Sequence, residues 1–254
     1  MLGQKIPSIW SSMASQAEQI EPVEPVEPVK TAHPRLLRLP LPKHWLSSAI
    51  FLLLLVLAIG LSVKYLPGIT TAELGIDQQL SRMHTAPLDA FARVLEFVFG
   101  PLFGPVLVLL IGLGVWLVRR RALDGLAFML LACSGWVFSE VFKLIIARQR
   151  PDQSLLFDPL SPETGSNSFP SGHTCFAVAL ALAFYFLLPP GKWRGLVTIL
   201  GSLTAIAVAW SRLYIGVHYL SDVIASFAAS LAGVLLFAAL WNRMGTAIEA
   251  RQRQ

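Results

Sequence analysis

Six long apolar runs limit what this chain can become. They cover residues 45–66, 97–118, 123–146, 174–188, 196–214 and 219–241. A bilayer's hydrocarbon core is about 30 Å thick and is crossed by about 20 apolar residues in a helix. In hydrocarbon, every backbone N–H and C=O must find its partner inside the protein, so a single run can cross only as a helix. The expectation is an all-α, polytopic membrane protein with six transmembrane helices. Composition agrees: 55% of the 254 residues are hydrophobic and 14% charged, against about 25% charged in an ordinary soluble domain.

The flanks divide the chain into three parts. Residues 1–44 are predicted to be a disordered cytoplasmic tail. Three successive Glu-Pro-Val units begin at Glu21, and proline spaced in this way favours an extended, solvated chain. A basic collar of Arg35, Arg38 and Lys43 closes the tail. No secretory signal is expected, because the first apolar run comes late and is long. Residues 45–241 hold the spans, and residues 242–254 read as a second polar cytoplasmic tail. Asp77, Gln78, Gln79, Arg82 and His84 mark an extramembrane loop or interfacial helix after the first span.

Counting Lys and Arg in short flanks puts the collar, the Arg119–Arg121 run, Lys192 with Arg194, and Arg243 on the cytoplasmic side. Both termini are then inside. The net charge of +5 fits basic loops against headgroups. A basic groove with interleaved aromatics, as nucleic-acid binding requires, is missing from the pattern. The two cysteines, Cys133 and Cys175, lie inside apolar runs and suggest neither a disulfide framework nor a metal site.

Three polar motifs fall on the expected outer side. In Ser211-Arg212-x5-His218-x3-Asp222, a helix starting near His218 puts Asp222 at i+4 on the same face, where it can accept the ring N–H. Arg212 approaches from the end of the preceding helix. In Lys143-x6-Arg150-Pro151, the two cations are two turns apart and can clamp an anion. In Phe169-Pro-Ser-Gly-His173, Pro170 and Gly172 suit a turn into a helix. The Ser171 and Gly172 N–H groups would then lie at a helix N-terminus, which favours anions. Arg148 stands outside this pattern and reads as a basic flank. Three cations, two histidines, one carboxylate and a donor-rich turn suit phosphoryl transfer, which asks mainly for positioning and charge stabilisation. No Cys, His or carboxylate spacing suggests a metal, so the cations take that role.

Together the three motifs resemble the signature of the type 2 phosphatidic acid phosphatase family. Those enzymes share a helical core with vanadium haloperoxidases and bacterial non-specific acid phosphatases. The resemblance covers residues 45–241 and runs through all three motifs in order. It implies His218 as the nucleophile, forming a phosphohistidine, with Asp222 orienting it. It implies His173 as the acid for the leaving oxygen and then the base for water. Lys143, Arg150, Arg212, Ser171 and Gly172 would bind the phosphate, with no cofactor.

The function expected is a lipid phosphatase of a bacterial inner membrane, working at the outer face. Undecaprenyl diphosphate is the favoured substrate, by analogy with small members of the family. Phosphatidate, phosphatidylglycerophosphate and lipid A phosphates are alternatives. A lipid-to-lipid phosphotransferase would use the same residues. A vanadium-dependent oxidase is disfavoured because that branch is soluble, and a non-enzymatic channel would have no use for His218. Oligomeric state is left open.

Overall fold

Backbone groups in hydrocarbon can pair only along their own helix, and the computed structural model, which describes residues 38–161 and 167–251, is built accordingly. Helices α1 (Trp45–Tyr65), α2 (Ile69–Ser81), α3 (Ala86–Phe99), α4 (Gly104–Arg119), α5 (Ala122–Ile146), α6 (Gly172–Leu187), α7 (Lys192–Tyr214) and α8 (Leu220–Arg251) follow one another, with a single 3₁₀ turn at Gln153–Leu155. No strand occurs among the described residues. The Glu-Pro-Val units and Arg35 of the basic collar lie outside the described residues.

Among the described residues, four helices are long and apolar enough to cross a membrane: α1, α5, α7 and α8 over Leu220–Ala247. A fifth crossing is available if α3 and α4, bent by 64° at their junction, act as one broken span. The chain is therefore an integral membrane protein with four or five spans by length and composition. A sixth depends on α6, whose 16 residues reach only about 24 Å at 1.5 Å per residue.

The run expected over 97–118 is thus two helices. Gly100 and Pro101 lie in the break, and Pro105 sits in the first turn of α4, where a missing N–H costs nothing. The polar stretch around Asp77 is the helix α2. Residues 242–251, read from the sequence as tail, continue α8.

Helix α6 is the hub. It packs against α3, α5, α7 and α8, while α1 lies along α8 and α4 along α5. Phe176, Ala177, Ala179 and Ala183 of α6 are buried with Phe128, Leu131 and Ala132 of α5 and with Val208 of α7. The lipid-facing sides remain apolar: Phe51, Leu54, Leu109, Leu117, Ile199 and Leu203 are all exposed. Helix contact in a bilayer relies on close packing, since lipid tails are as apolar as leucine. Gly135 of α5 provides it. A Cβ there would run into the Cys175 carbonyl and stand 2.8 Å from the Ala179 Cβ.

The C-terminal ends of α5 and α7 and the N-terminal ends of α6 and α8 meet at one end of the bundle. The three polar motifs lie at these four ends. Ala147, at φ 54°, ends α5 in the left-handed conformation and folds the Arg148–Arg150 segment back. Ser168 N–H then donates to the Arg148 carbonyl at 2.7 Å.

Gly135→Val is expected to force α5 and α6 apart, at a cost of about 1–3 kcal/mol from overpacking. A lower thermal midpoint of the purified protein in detergent checks this; an unchanged midpoint would show that the close approach carries no stability.

Candidate active site

The loop between α7 and α8 positions the central histidine. Gly216, at φ 76°, makes the turn, and a Cβ there would strike Leu156 of the loop between α5 and α6. His218 is buried, with its two ring nitrogens facing different partners. Nδ1 stands 3.5 Å from Asp222 Oδ2, and Nε2 stands 3.3 Å from Arg150 Nη1. A guanidinium can only donate, so Nε2 presents its lone pair and the ring proton sits on Nδ1, toward the carboxylate. The Nδ1 distance is long for a hydrogen bond. Burial pushes the His218 imidazole down to about 4; Arg150 and Arg212 act in the same direction, and Asp222 opposes them. At neutral pH the ring is uncharged.

Asp222 lies one turn into α8, fully buried. Its Oδ2 also accepts the Tyr219 N–H at 2.9 Å. Arg150 anchors on the Val217 carbonyl at 3.0 Å, next to the histidine. Arg212, at the end of α7, is fully buried, with Nε 3.3 Å from Ser211 Oγ and Nη1 3.4 Å from Glu96 Oε1. Lys143 donates to Glu140 at 2.7 Å, and its Nζ would stand 3.4 Å from a Cβ built on Gly172. The Lys143 and Gly172 positions are therefore neighbours.

Ser171 caps α6. Its Oγ accepts from Thr174 N–H and from Thr174 Oγ1 at 3.1 Å. Its own N–H is directed at the Asp222 carbonyl, 3.4 Å away, and so is not turned toward a ligand as the sequence suggests. The hydroxyl proton of Ser171 remains to be donated. His173 follows on the first turn, with a buried Nε2 that has no hydrogen-bond partner. Arg212, His218 and Arg150 are its electrostatic neighbours.

Arg148 differs most from its sequence reading. It is no flank residue; it is buried behind Asp222. Its Nη1 donates to Asp222 Oδ1 at 2.6 Å and to Ser221 Oγ at 2.8 Å. Its Nη2 donates to Glu73 Oε2 at 2.7 Å and to Thr70 Oγ1 at 3.0 Å. The guanidinium lies over the Tyr219 ring, 3.9 Å from its centre. Glu73 further accepts the Ser221 N–H at 2.8 Å. Helix α2 is thereby tied to the start of α8. Nearby, Asp77 is buried, and neither of its oxygens bonds a described residue. Burial pushes it up to about 8, helped by the charges of Asp222 and Glu73 and opposed by Arg148, so it holds its proton at neutral pH.

Glu96 and Glu73 were also missed by sequence reasoning. Only their place on amphipathic, extramembrane-looking helices could have hinted at them. Among the described residues, no group of three His, Cys, Asp or Glu side chains could hold a metal ion.

With this geometry in view, the similarities to known proteins are specific. Residues 124–245 match the PAP2 superfamily, and that stretch contains all three motifs. The chain carries a PAP2 superfamily domain. It is 36% identical over 136 residues to the phosphatidylglycerophosphatase B of Bacillus subtilis, an alignment covering 52% of this chain and 63% of that protein. It is 29% identical over 188 residues to an undecaprenyl-diphosphatase of Sulfolobus acidocaldarius, covering 69% of this chain and 82% of that one. Its fold resembles the crystal structure of a transmembrane PAP2-type phosphatidylglycerolphosphate phosphatase from Bacillus subtilis. The TM-score is 0.67 at 28% identity, covering 77% of this chain and 96% of that one.

Arg148→Met is expected to leave Asp222 and Glu73 as uncompensated buried charges and to cost about 3–5 kcal/mol. Thermal unfolding in detergent should show a markedly lower midpoint. A midpoint like that of the parent protein would mean that the carboxylates find other partners.

Proposed function

We propose that the protein is a membrane lipid phosphatase that works through a phosphohistidine at His218. The observation that carries this reading is the orientation of His218: its Nε2 lone pair lies beside Arg150, and its Nδ1 is turned to a buried carboxylate. That is the tautomer an imidazole nucleophile needs.

The substrate phosphate sits among Arg150, Arg212 and Lys143, which bind its non-bridging oxygens, with Ser171 and Gly172 adding donors. His218 Nε2 attacks phosphorus as the bond from phosphorus to the leaving oxygen breaks. The proton of His173 passes to that oxygen. Asp222 stabilises the positive charge that develops on the His218 ring. His173, now neutral, then takes a proton from water as the water attacks phosphorus. The N–P bond breaks and inorganic phosphate leaves. The cations supply the charge stabilisation, and no cofactor enters the scheme.

The substrate favoured is a polyprenyl diphosphate of the undecaprenyl type, with phosphatidylglycerophosphate or a lipid A phosphate as the alternative. Of the two sequence relatives, the one named for undecaprenyl diphosphate is aligned over the larger share of both chains, which supports the first choice, while the structural match to a phosphatidylglycerolphosphate phosphatase supports the alternative. The site is proposed to face the outer side of an inner membrane, with six crossings that include α6. The clustering of Arg119–Arg121, Lys192 and Arg194 at the opposite end of the bundle supports that direction.

The direct test is phosphate release by purified protein from a panel of lipid phosphates. Wild type is expected to turn over at least one of them and to take up label from substrate phosphate. His218→Ala should do neither; acid-labile labelling that persists in the variant removes His218 from its role. The pH profile provides a second check. The neutral ring attacks, and it is present above its pKa, so the acid limb that His218 contributes to kcat/KM should lie near pH 4. An acid limb at the ordinary histidine value of about 6.5 would contradict the buried, neutral assignment. For sidedness, a Pro159→Cys variant places a thiol on the exposed outer loop. A membrane-impermeant thiol reagent should label it in intact cells, and labelling only after lysis would reverse the orientation.

A further inference from the structure

A cavity of about 260 Å³ opens beside His173, where α3 bends into α4. Arg93, Glu96, Phe97, Gly100, Pro101 and Leu102 complete its lining. Resting on the reading of His173 as the acid, this cavity is where the leaving group must lie. The leaving oxygen has to reach the His173 proton, and the His218 nucleophile lies on the other side of the phosphorus. Gly100 keeps the way clear: a Cβ there would stand 3.3 Å from His173 Nε2.

The lining has two chemical faces. Phe97, Pro101 and Leu102 form an apolar rim at the helix break, and Phe97 and Leu102 are exposed on the lipid-facing surface. Arg93 lines the same cavity, one turn before Phe97 on the same face of α3. It is exposed and makes no hydrogen bond or ion pair with a described residue. Glu96 is the carboxylate in the same lining, but its Oε1 is directed at Arg212 and Ser161, 3.4 Å from each. That leaves the guanidinium of Arg93 as the charge presented to whatever lies in the cavity. A hydrocarbon tail with a neutral alcohol end has no use for it. A leaving group that is itself an anion does.

We infer that Arg93 binds a second phosphate, the one left behind on the lipid. The site would then prefer lipids with two phosphates over lipids with one. Two kinds of lipid carry that chemistry: a polyprenyl diphosphate, whose second phosphate is attached directly at the leaving oxygen, and phosphatidylglycerophosphate, whose second phosphate is one glycerol away. In the diphosphate, the P–O bond on the terminal phosphorus breaks, and the bridging oxygen leaves as part of the lipid monophosphate. Guanidinium bound to that product phosphate lowers its basicity and eases its departure.

The experiment compares kcat/KM for matched pairs: undecaprenyl diphosphate with undecaprenyl phosphate, and phosphatidylglycerophosphate with phosphatidate. Wild type should favour the two-phosphate member of at least one pair. Arg93→Gln should lower kcat/KM for that member by roughly tenfold to a hundredfold, the worth of one charge-assisted hydrogen bond. The single-phosphate member should change by less than about threefold on the same scale, and its turnover also reports that the variant is folded. Arg93→Lys should keep part of the preference. The pair that loses its preference identifies the lipid. Equal losses on both members, or no loss on either, overturn the role of Arg93. Failure of the wider reading looks different: wild type would then release phosphate from none of the four lipids.

Discussion

The structure depends on how it handles one buried carboxylate. Asp222 is completely shielded from solvent, and an unpaired charge in such a place is costly enough that a carboxyl would normally take up a proton. Here it is held from two sides. Oδ2 faces His218 and the Tyr219 N–H, and Oδ1 takes a 2.6 Å bond from Arg148. Arg148 is in turn balanced by Glu73, so the sequence of charges runs from α2 through the Arg148–Arg150 segment to α8. The same contacts close the bundle end and fix the tautomer of the histidine. Fold and candidate site therefore share one ion network, and helix α2 supports that site although it contributes nothing to the three motifs.

That network also explains what could and could not be read in advance. Some helix ends were legible because their causes are local: Ser171 ahead of α6 and the basic run Arg119–Arg121 at the end of α4. The pairing of His218 with Asp222 was legible because it depends on one helical turn. The contacts of Arg148 were not. Its partners Glu73 and Asp222 are 75 and 74 residues away, and no spacing rule connects positions that far apart. A cation near a span end has the same appearance in sequence whether it snorkels to water or turns inward. The broken span had a local cause in Gly100 and Pro101, but hydropathy alone passes over a bend. It reports how much apolar chain there is, and the direction of that chain is set by packing. The helix α6 illustrates the converse: 16 residues are short for a crossing, and its central place comes from being packed on four neighbours.

The two histidines are built differently, and the difference fits the tasks proposed for them. A nucleophile must keep one nitrogen aimed at phosphorus through attack and breakdown, so His218 is fixed by a carboxylate that is itself fixed. An acid that becomes a base must gain and lose its proton within one cycle, which a tight permanent partner would hinder. The Nε2 of His173 has none, and it lies where the α3–α4 bend leaves space.

The cations divide along a similar line. In the empty site, Lys143 rests on Glu140, and Arg212 approaches Glu96. Those carboxylates are 63% and 25% exposed, whereas Glu73 and Asp222, the partners of Arg148, are 13% and 0% exposed. A solvated carboxylate gives up its partner at less cost than a buried one, because water takes over its hydrogen bonds. Under the proposed mechanism, an arriving phosphate dianion can therefore displace Glu140 from Lys143 and share Arg212 with Glu96, while Arg148 stays committed to Asp222. The resting ion pairs hold the phosphate-binding cations in place without neutralising them permanently. The depth of each carboxylate, more than the identity of each cation, separates the part of the site that binds substrate from the part that holds the nucleophile.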